Sequence, residues 1–157
     1  MPRRSLVDRG VPVLPVETLM AVAEEARSLT GASDVLALLD ARMDEVYAAR
    51  YRHDGRRWRR EDAVRLARPE DVVAAPGIVL AGNVFRAYGD RLQPGGDRVD
   101  AAPTAAALLR LAPALLEDGE AVPPDQALPL YVRDKVAQTT AEREATRAAA
   151  RQDKMPP

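Results

Sequence analysis

A five-residue apolar run, Val35-Leu36-Ala37-Leu38-Leu39, stands between Asp34 and Asp40. An unbroken run this short, with a charge at each end, predicts a strand buried on both faces. Asp40 to Asp44 reads as a turn. Glu45 to Arg52 then alternates, with Tyr47, Ala49 and Tyr51 on one face and Val46, Ala48 and Arg50 on the other. That period of two is the pattern of a half-buried strand. The short link makes the two strands an antiparallel hairpin, and a chain with such a pair in its middle must build a sheet around it. Asp54-Gly55 predicts a second tight turn, with Trp58 to Leu66 returning as one strand or two.

Helical periodicity flanks the hairpin. From Glu17 to Leu29, the residues Leu19, Met20, Val22, Ala23, Ala26 and Leu29 recur at spacings of three and four, and Gly31 follows as a stop. Gly10 to Val16 is apolar but carries two prolines, which confines it to an edge or a lead-in. Pro69 to Val73 suits a short helix with proline at its start. Ile78 to Ala81 predicts another short strand, Val84 to Tyr88 one or two helical turns, and Gly89 to Asp100 a loop. Pro103 to Leu116 is the strongest helix, and Pro113 should kink it or end its regular part. Leu128 to Val132 predicts a last strand. The pattern is α/β or α+β with a mixed sheet, a central antiparallel hairpin and flanking helices.

Composition narrows the function. There is no Cys and one His, which removes disulfide scaffolds, thiolate metal sites, cysteine nucleophiles and His-rich metal centres. No apolar run approaches the length of a membrane span, and the first residues lack the apolar core of a signal peptide, so the expected setting is cytoplasmic, with no membrane. Ala supplies 29 of 157 residues and aromatics only 4%, so the core must be thin in large side chains. The net charge of −1 does not suit a protein that binds nucleic acid over its whole surface.

Searches for reaction chemistry return little. Neither GxxxxGK[ST], GxGxxG nor GxSxG occurs. Gly82-Asn83 between a strand and a helix is where backbone amides could approach a nucleotide, although a tight turn accounts for it as well. Asp40, Asp44 and Glu45 cluster at one turn and could hold magnesium, or simply form the turn. His53 beside Asp54-Gly55 reads as a surface histidine. No catalytic residue, cofactor or metal site is assigned. The most charged stretch is Arg50–Arg68, eight Arg against Asp54, Glu61 and Asp62, with Tyr51 and Trp58 interleaved. Such a patch can follow a phosphate backbone while aromatics stack on bases, or it can be an ordinary solvated hairpin.

Three blocks carry a resemblance. Asp40-Ala41-Arg42-Met43-Asp44-Glu45-Val46-Tyr47, directly after a buried strand, resembles the D-A-R-x-x-E-V-Y pattern of the TsaB family, bacterial proteins of tRNA threonylcarbamoyladenosine biosynthesis. Val16-Glu17-Thr18-Leu19-Met20 resembles the family's V-S-T-L. Pro129-Leu130-Tyr131-Val132-Arg133-Asp134-Lys135-Val136-Ala137 resembles its P-x-Y-L-R-x-x-V-A. The likeness runs over residues 11–137, with 1–10 as an unmatched leader and 138–157 as a polar tail.

The resemblance implies the second lobe of an actin-like ATPase fold, without the first lobe and its G-P-G-S-F-T-G segment, hence a truncated form. It also implies an accessory scaffold rather than an enzyme. Its partners would be TsaD, which transfers the threonylcarbamoyl group, and the ATPase TsaE, with tRNA engaged indirectly. The residues it singles out are Asp40, Arg42, Glu45, Tyr47, Tyr131 and Arg133. Their implied role is structural: the acid and the guanidinium fix the turn, and the tyrosines, largely buried, cover the sheet. An older glycoprotease-like label points to a hydrolase, against which the residue inventory counts. Alternatives are a small RNA-binding module using Arg50–Arg68, or a fragment without independent function. A missing lobe would leave apolar surface at Val11–Val16 and along one flank of Glu17–Leu29, which favours self-association into a homo-oligomer.

Overall fold

The computed structural model describes residues 10–93 and 95–133. The predicted leader (up to Arg9) and the predicted polar tail lie outside the described residues. Helix α1 spans Thr18–Thr30, strand β1 Asp34–Arg42, β2 Glu45–His53, β3 Trp58–Arg60 and β4 Arg65–Ala67. Strand β5 spans Val79–Gly82, the short helix α2 Phe85–Tyr88, β6 Arg98–Asp100 and helix α3 Ala105–Glu117, with single 3-10 turns at Pro69–Asp71 and Pro124–Gln126. The strands form one mixed sheet in the order β3-β2-β1-β5-β6, and β4 also pairs with β2. The β1–β2 pair is antiparallel, while β1–β5 and β5–β6 are parallel. The hairpin is therefore central, as its sequence pattern predicts.

Two apolar layers bury the sheet. Val35, Ala37, Ala49, Tyr51 and Ala81 pack with α1 and α3 on one face. Leu36, Leu38, Val46, Ala48 and Leu80 pack with Val72, Ile78, Val84 and Leu92 on the other. The unbroken apolar run of β1 thus feeds both layers. β2 departs from the half-buried reading, because Val46, Ala48, Ala49 and Tyr51 are all fully buried. The segment from Val72 to Leu92 covers the face that alternation assigns to solvent.

Small side chains set the spacing. Ala21, Ala23 and Ala26 of α1 are fully buried, so the helix backbone lies close to the sheet. A Cβ on Gly82 would collide with the Leu38 carbonyl of the neighbouring strand. α1 ends as expected, with Gly31 left-handed (φ 80°) and its N–H donating to the Arg27 carbonyl at 2.7 Å.

Other expectations are corrected. The Gly89–Asp100 loop ends in a strand, β6, whose neighbour Asp97 accepts the Leu80 N–H at 2.8 Å. Val99 is its one apolar residue, so no alternation marks it. α3 runs past Pro113 to Glu117, with the proline on its exposed side. Among the described residues no strand forms at Leu128–Val132, where Pro129 lacks an N–H to give to a ladder. Val13 pairs with Val122 through two 2.9 Å backbone hydrogen bonds and Val16 packs on the core, while Val11, Pro12 and Pro15 stay exposed. Exposed apolar residues remain in both expected places, at Val11 and at Leu29, and lie also on the outer side of α3 (Leu108, Leu109, Leu116) and at Met43, Val73, Leu128, Leu130 and Tyr131.

Candidate interaction site at the central hairpin

The link between β1 and β2 is two residues long, because Arg42 pairs with Glu45. A two-residue hairpin loop matches the twist of its strands when both residues have positive φ. Met43 and Asp44 do so at 55° and 60°, and Arg42 before them sits at 64°, beside a shift of register after Asp40. None of the three is glycine or asparagine. Left-handed backbone costs a residue such as Arg or Met about 1–2 kcal/mol, and Asp less, so the surrounding structure must hold it.

The hold is a polar network drawn from distant parts of the chain. The Asp40 carboxylate accepts the Arg42 N–H at 2.8 Å and the Tyr88 hydroxyl at 3.1 Å. The Asp40 N–H donates to Asn83 Oδ1 at 3.0 Å, which ties β1 to the exit of β5. Arg91 bridges Asp44 at 3.1 Å and Glu70 at 2.5 Å. Arg133 donates to the Ala41 carbonyl at 2.9 Å and to Met43 Sδ at 3.3 Å, and pairs with Glu45 at 2.7 Å. The Tyr88 hydroxyl is held protonated by burial and by the Asp40 carboxylate that accepts its proton. Arg91 holds the Glu70 carboxyl below its ordinary range.

Of the six residues singled out from sequence, Asp40, Arg42, Glu45 and Arg133 meet here. The guanidinium that clasps the turn is Arg133. Arg42 makes one long contact to Asp40, at 3.5 Å, and its side chain is 87% exposed. Tyr47 is half-buried and packs on the α1 side of the sheet. Tyr131 overturns the expected burial: at 87% exposed it covers nothing, because the strand predicted around it does not form. Asn83, Tyr88, Arg91 and Glu70 carry no sequence signal of their own, apart from the strand-to-helix turn at Gly82-Asn83. There the Asn83 side chain serves the hairpin.

The turn acids do not converge on a cation. Asp44 and Glu45 face different arginines, and among the described residues no group of three His, Cys, Asp or Glu side chains is placed to hold a metal ion. His53 Nδ1 accepts the Gly55 N–H at 3.1 Å, and its ring meets Trp58 edge-on at 5.0 Å. Burial and the nearby Arg27 hold its pKa below the usual value.

Most arginines of the basic stretch are paired, several of them with acids from other elements. Arg50 forms a two-pronged pair with Asp34 at 2.8 and 2.6 Å, and Arg52 adds a contact at 3.5 Å. Arg56 and Arg57 reach Glu117 at the end of α3, Arg60 reaches Glu17, and Arg65 reaches Asp62. The aromatics are not free to stack. Tyr51 is fully buried with its hydroxyl donating to Glu17, and Trp58 Nε1 donates to Glu24 at 2.8 Å.

Comparisons with known proteins converge on one group. A curated relative, the tRNA threonylcarbamoyladenosine biosynthesis protein TsaB of Escherichia coli (strain K12), is 33% identical over 137 residues, covering 81% of this chain and 59% of that protein. A solved structure of YeaZ from Pseudomonas aeruginosa superposes with TM-score 0.69 at 36% identity, covering 76% of this chain and 58% of that one. Another, described as an uncharacterized protein with similarity to peptidase YeaZ from Pseudomonas aeruginosa, gives 0.71 at 36% identity, covering 78% and 59%. No family model matches the chain. The chain spans about three-fifths of the length of the relatives it matches. Among the described residues no helix is long and apolar enough to cross a membrane.

Proposed function

Because the chain belongs, over the part it shares with these relatives, to the TsaB family of tRNA threonylcarbamoyladenosine biosynthesis proteins, we propose that it is an accessory, non-catalytic subunit of that modification. The observation that carries this is the 33% identity to TsaB, matched by superposition on the same fold. The shared part corresponds to the second lobe of an actin-like fold, with residues 11–137 as its unit. Its partners are TsaD and TsaE, it meets tRNA through them, and it works in the cytoplasm.

Two features of the chain support a scaffold over a hydrolase. The one histidine of the sequence is committed to Gly55 and Trp58. The acids at the hairpin turn are engaged by arginines and by backbone N–H. The Arg50–Arg68 module is disfavoured, since most of its arginines are paired with acids and its aromatics are buried.

Reconstitution tests the proposal. The full 157-residue chain replaces TsaB in a threonylcarbamoylation assay containing TsaD, TsaE and substrate tRNA, read by mass spectrometry of the released nucleosides. Threonylcarbamoyladenosine above the TsaB-free background is expected. Background levels, or turnover of a peptide substrate by the chain alone, overturn the reading.

A further inference from the structure

We infer that Met43, at the tip of the β1–β2 hairpin, is a reversible oxidation site. Hydrogen peroxide converts its thioether to a sulfoxide, the new oxygen becomes an acceptor for Arg133, and oxidation thereby tightens the hairpin instead of loosening it.

The first observation is access to the sulfur. The sequence has four methionines, of which Met1 and Met155 lie outside the described residues. Met20 is half-buried on α1 and packs against the core. Met43 is 69% exposed, as the first residue of the two-residue link between β1 and β2. A peroxide must reach the sulfur to oxidise it, so Met43 reacts ahead of Met20.

The reaction balances with the peroxide alone. A lone pair of Sδ attacks one peroxide oxygen, and the O–O bond breaks as the S–O bond forms. The hydroxyl proton of the first oxygen passes through solvent to the second, which leaves as water. Sulfur loses two electrons and the peroxide gains them. A methionine sulfoxide reductase reverses the change, releasing the oxygen as water while two thiols become a disulfide.

The second observation is a donor already aimed at the sulfur. Arg133 Nη1 donates to Met43 Sδ at 3.3 Å and pairs with Glu45 at 2.7 Å, while Nη2 donates to the Ala41 carbonyl at 2.9 Å. The thioether is the weakest of these three acceptors. A sulfoxide oxygen carries partial negative charge, and a guanidinium N–H donating to it makes a charge-assisted bond. Oxygen adds to the lone pair that Arg133 leaves free. Rotation about the Cγ–Sδ bond, open to a side chain this exposed, then turns the oxygen toward the guanidinium.

No packing is lost in exchange. Methionine oxidation disrupts a protein when the polar oxygen enters an apolar core, and Met43 belongs to neither apolar layer of the sheet. The backbone from Arg42 to Asp44 is left-handed throughout, so a firmer hold by Arg133 acts where the chain is most strained.

The test treats the full chain with hydrogen peroxide, follows each methionine by peptide mass mapping, and compares urea unfolding of the reduced and oxidised chains. Met43 is expected to gain oxygen at least about tenfold faster than Met20. The unfolding constant of the oxidised wild type should be about fivefold smaller, the scale of one added hydrogen bond. Sulfoxide reductase with a dithiol should restore the starting value. Met43→Leu and Arg133→Ala should both lose the gain, the first because no sulfoxide forms there and the second because nothing donates to it. Met43→Gln, with an amide oxygen at similar reach, should show the gain without peroxide. Oxidation of Met43 no faster than that of Met20 overturns the site. An oxidised wild type no more stable than the reduced chain, or a gain that Met43→Leu or Arg133→Ala keeps, overturns the role of Arg133 and the tightening with it.

Discussion

Arg133 lies 2.7 Å from the Glu45 carboxylate, and its other terminal nitrogen donates at 2.9 Å to the carbonyl of Ala41, 92 residues earlier in the chain. One guanidinium therefore spans both strands of the hairpin across its strained link. Both side chains of the ion pair are mostly covered, at 16% and 31% exposed, so water screens the pair less than it would at an open surface. Arg133→Ala should cost about 2 kcal/mol, the scale of hydrogen bonds to a charged group, and Arg133→Lys should recover less than half of it, because an ammonium lacks the planar fork. Urea unfolding reads this directly. An unchanged midpoint for Arg133→Ala would show that the clasp contributes nothing to stability.

The turn itself offers the opposite experiment. Asn-Gly suits a two-residue loop with both residues left-handed, and Met43-Asp44 does not. Met43→Asn combined with Asp44→Gly should raise stability by about 1 kcal/mol. The loss of the Asp44–Arg91 contact, whose side chains are 77% and 40% exposed, should offset little of that gain. A lower melting temperature for the double variant would mean that the Met43 and Asp44 side chains hold the turn more than the backbone strains it.

How much of this was legible in sequence follows from the range of each signal. β1, β2, α1 and α3 announce themselves through local periodicity, which is set by neighbours a few residues away. β6 does not, since a three-residue edge strand with Val99 alone facing the core has no period to read. Tyr131 illustrates the converse: Leu-Tyr-Val reads as a strand, but a strand needs a partner, and among the described residues this segment pairs with none. At the site, Asp40, Arg42, Glu45 and Arg133 were reached through the family pattern. Asn83, Tyr88, Arg91 and Glu70 were not, because they act through contacts 21 to 48 residues apart in sequence that no local pattern encodes.

Gly82 is fixed by space, not by conformation. A Cβ there would strike the Leu38 carbonyl on the adjacent parallel strand, and that backbone cannot move without breaking β1–β5 pairing. Gly82→Ala should therefore destabilise by about 3 kcal/mol or more, in the range of severe overpacking, and should release the Asp40–Asn83 contact that follows it in the chain. Hydrogen exchange of the Asp40 amide measures the second effect. A variant as stable as wild type, with that amide equally protected, would show that the two strands can separate freely at this point.

The Asp34–Arg50 pair supplies the pH dependence. Two short hydrogen bonds from Arg50, helped by Arg52, hold the Asp34 carboxyl below its ordinary value of 3.8. In the unfolded chain that carboxyl returns to the ordinary value, so near and below pH 4 the unfolded state binds the proton more readily. Stability from the pair is thus complete at neutral pH, begins to fall as the pH drops toward 3.8, and is gone once the pH passes below the lowered folded value. Asp34→Asn cannot take part in this equilibrium. At pH 7 it should be less stable than wild type by about 1.5 kcal/mol, and the difference should shrink as the pH falls below the ordinary carboxyl value of 3.8. A gap that stays constant as the pH falls would show that Asp34 holds β1 to β2 by packing or neutral hydrogen bonding, and that its charge is not what Arg50 recognises.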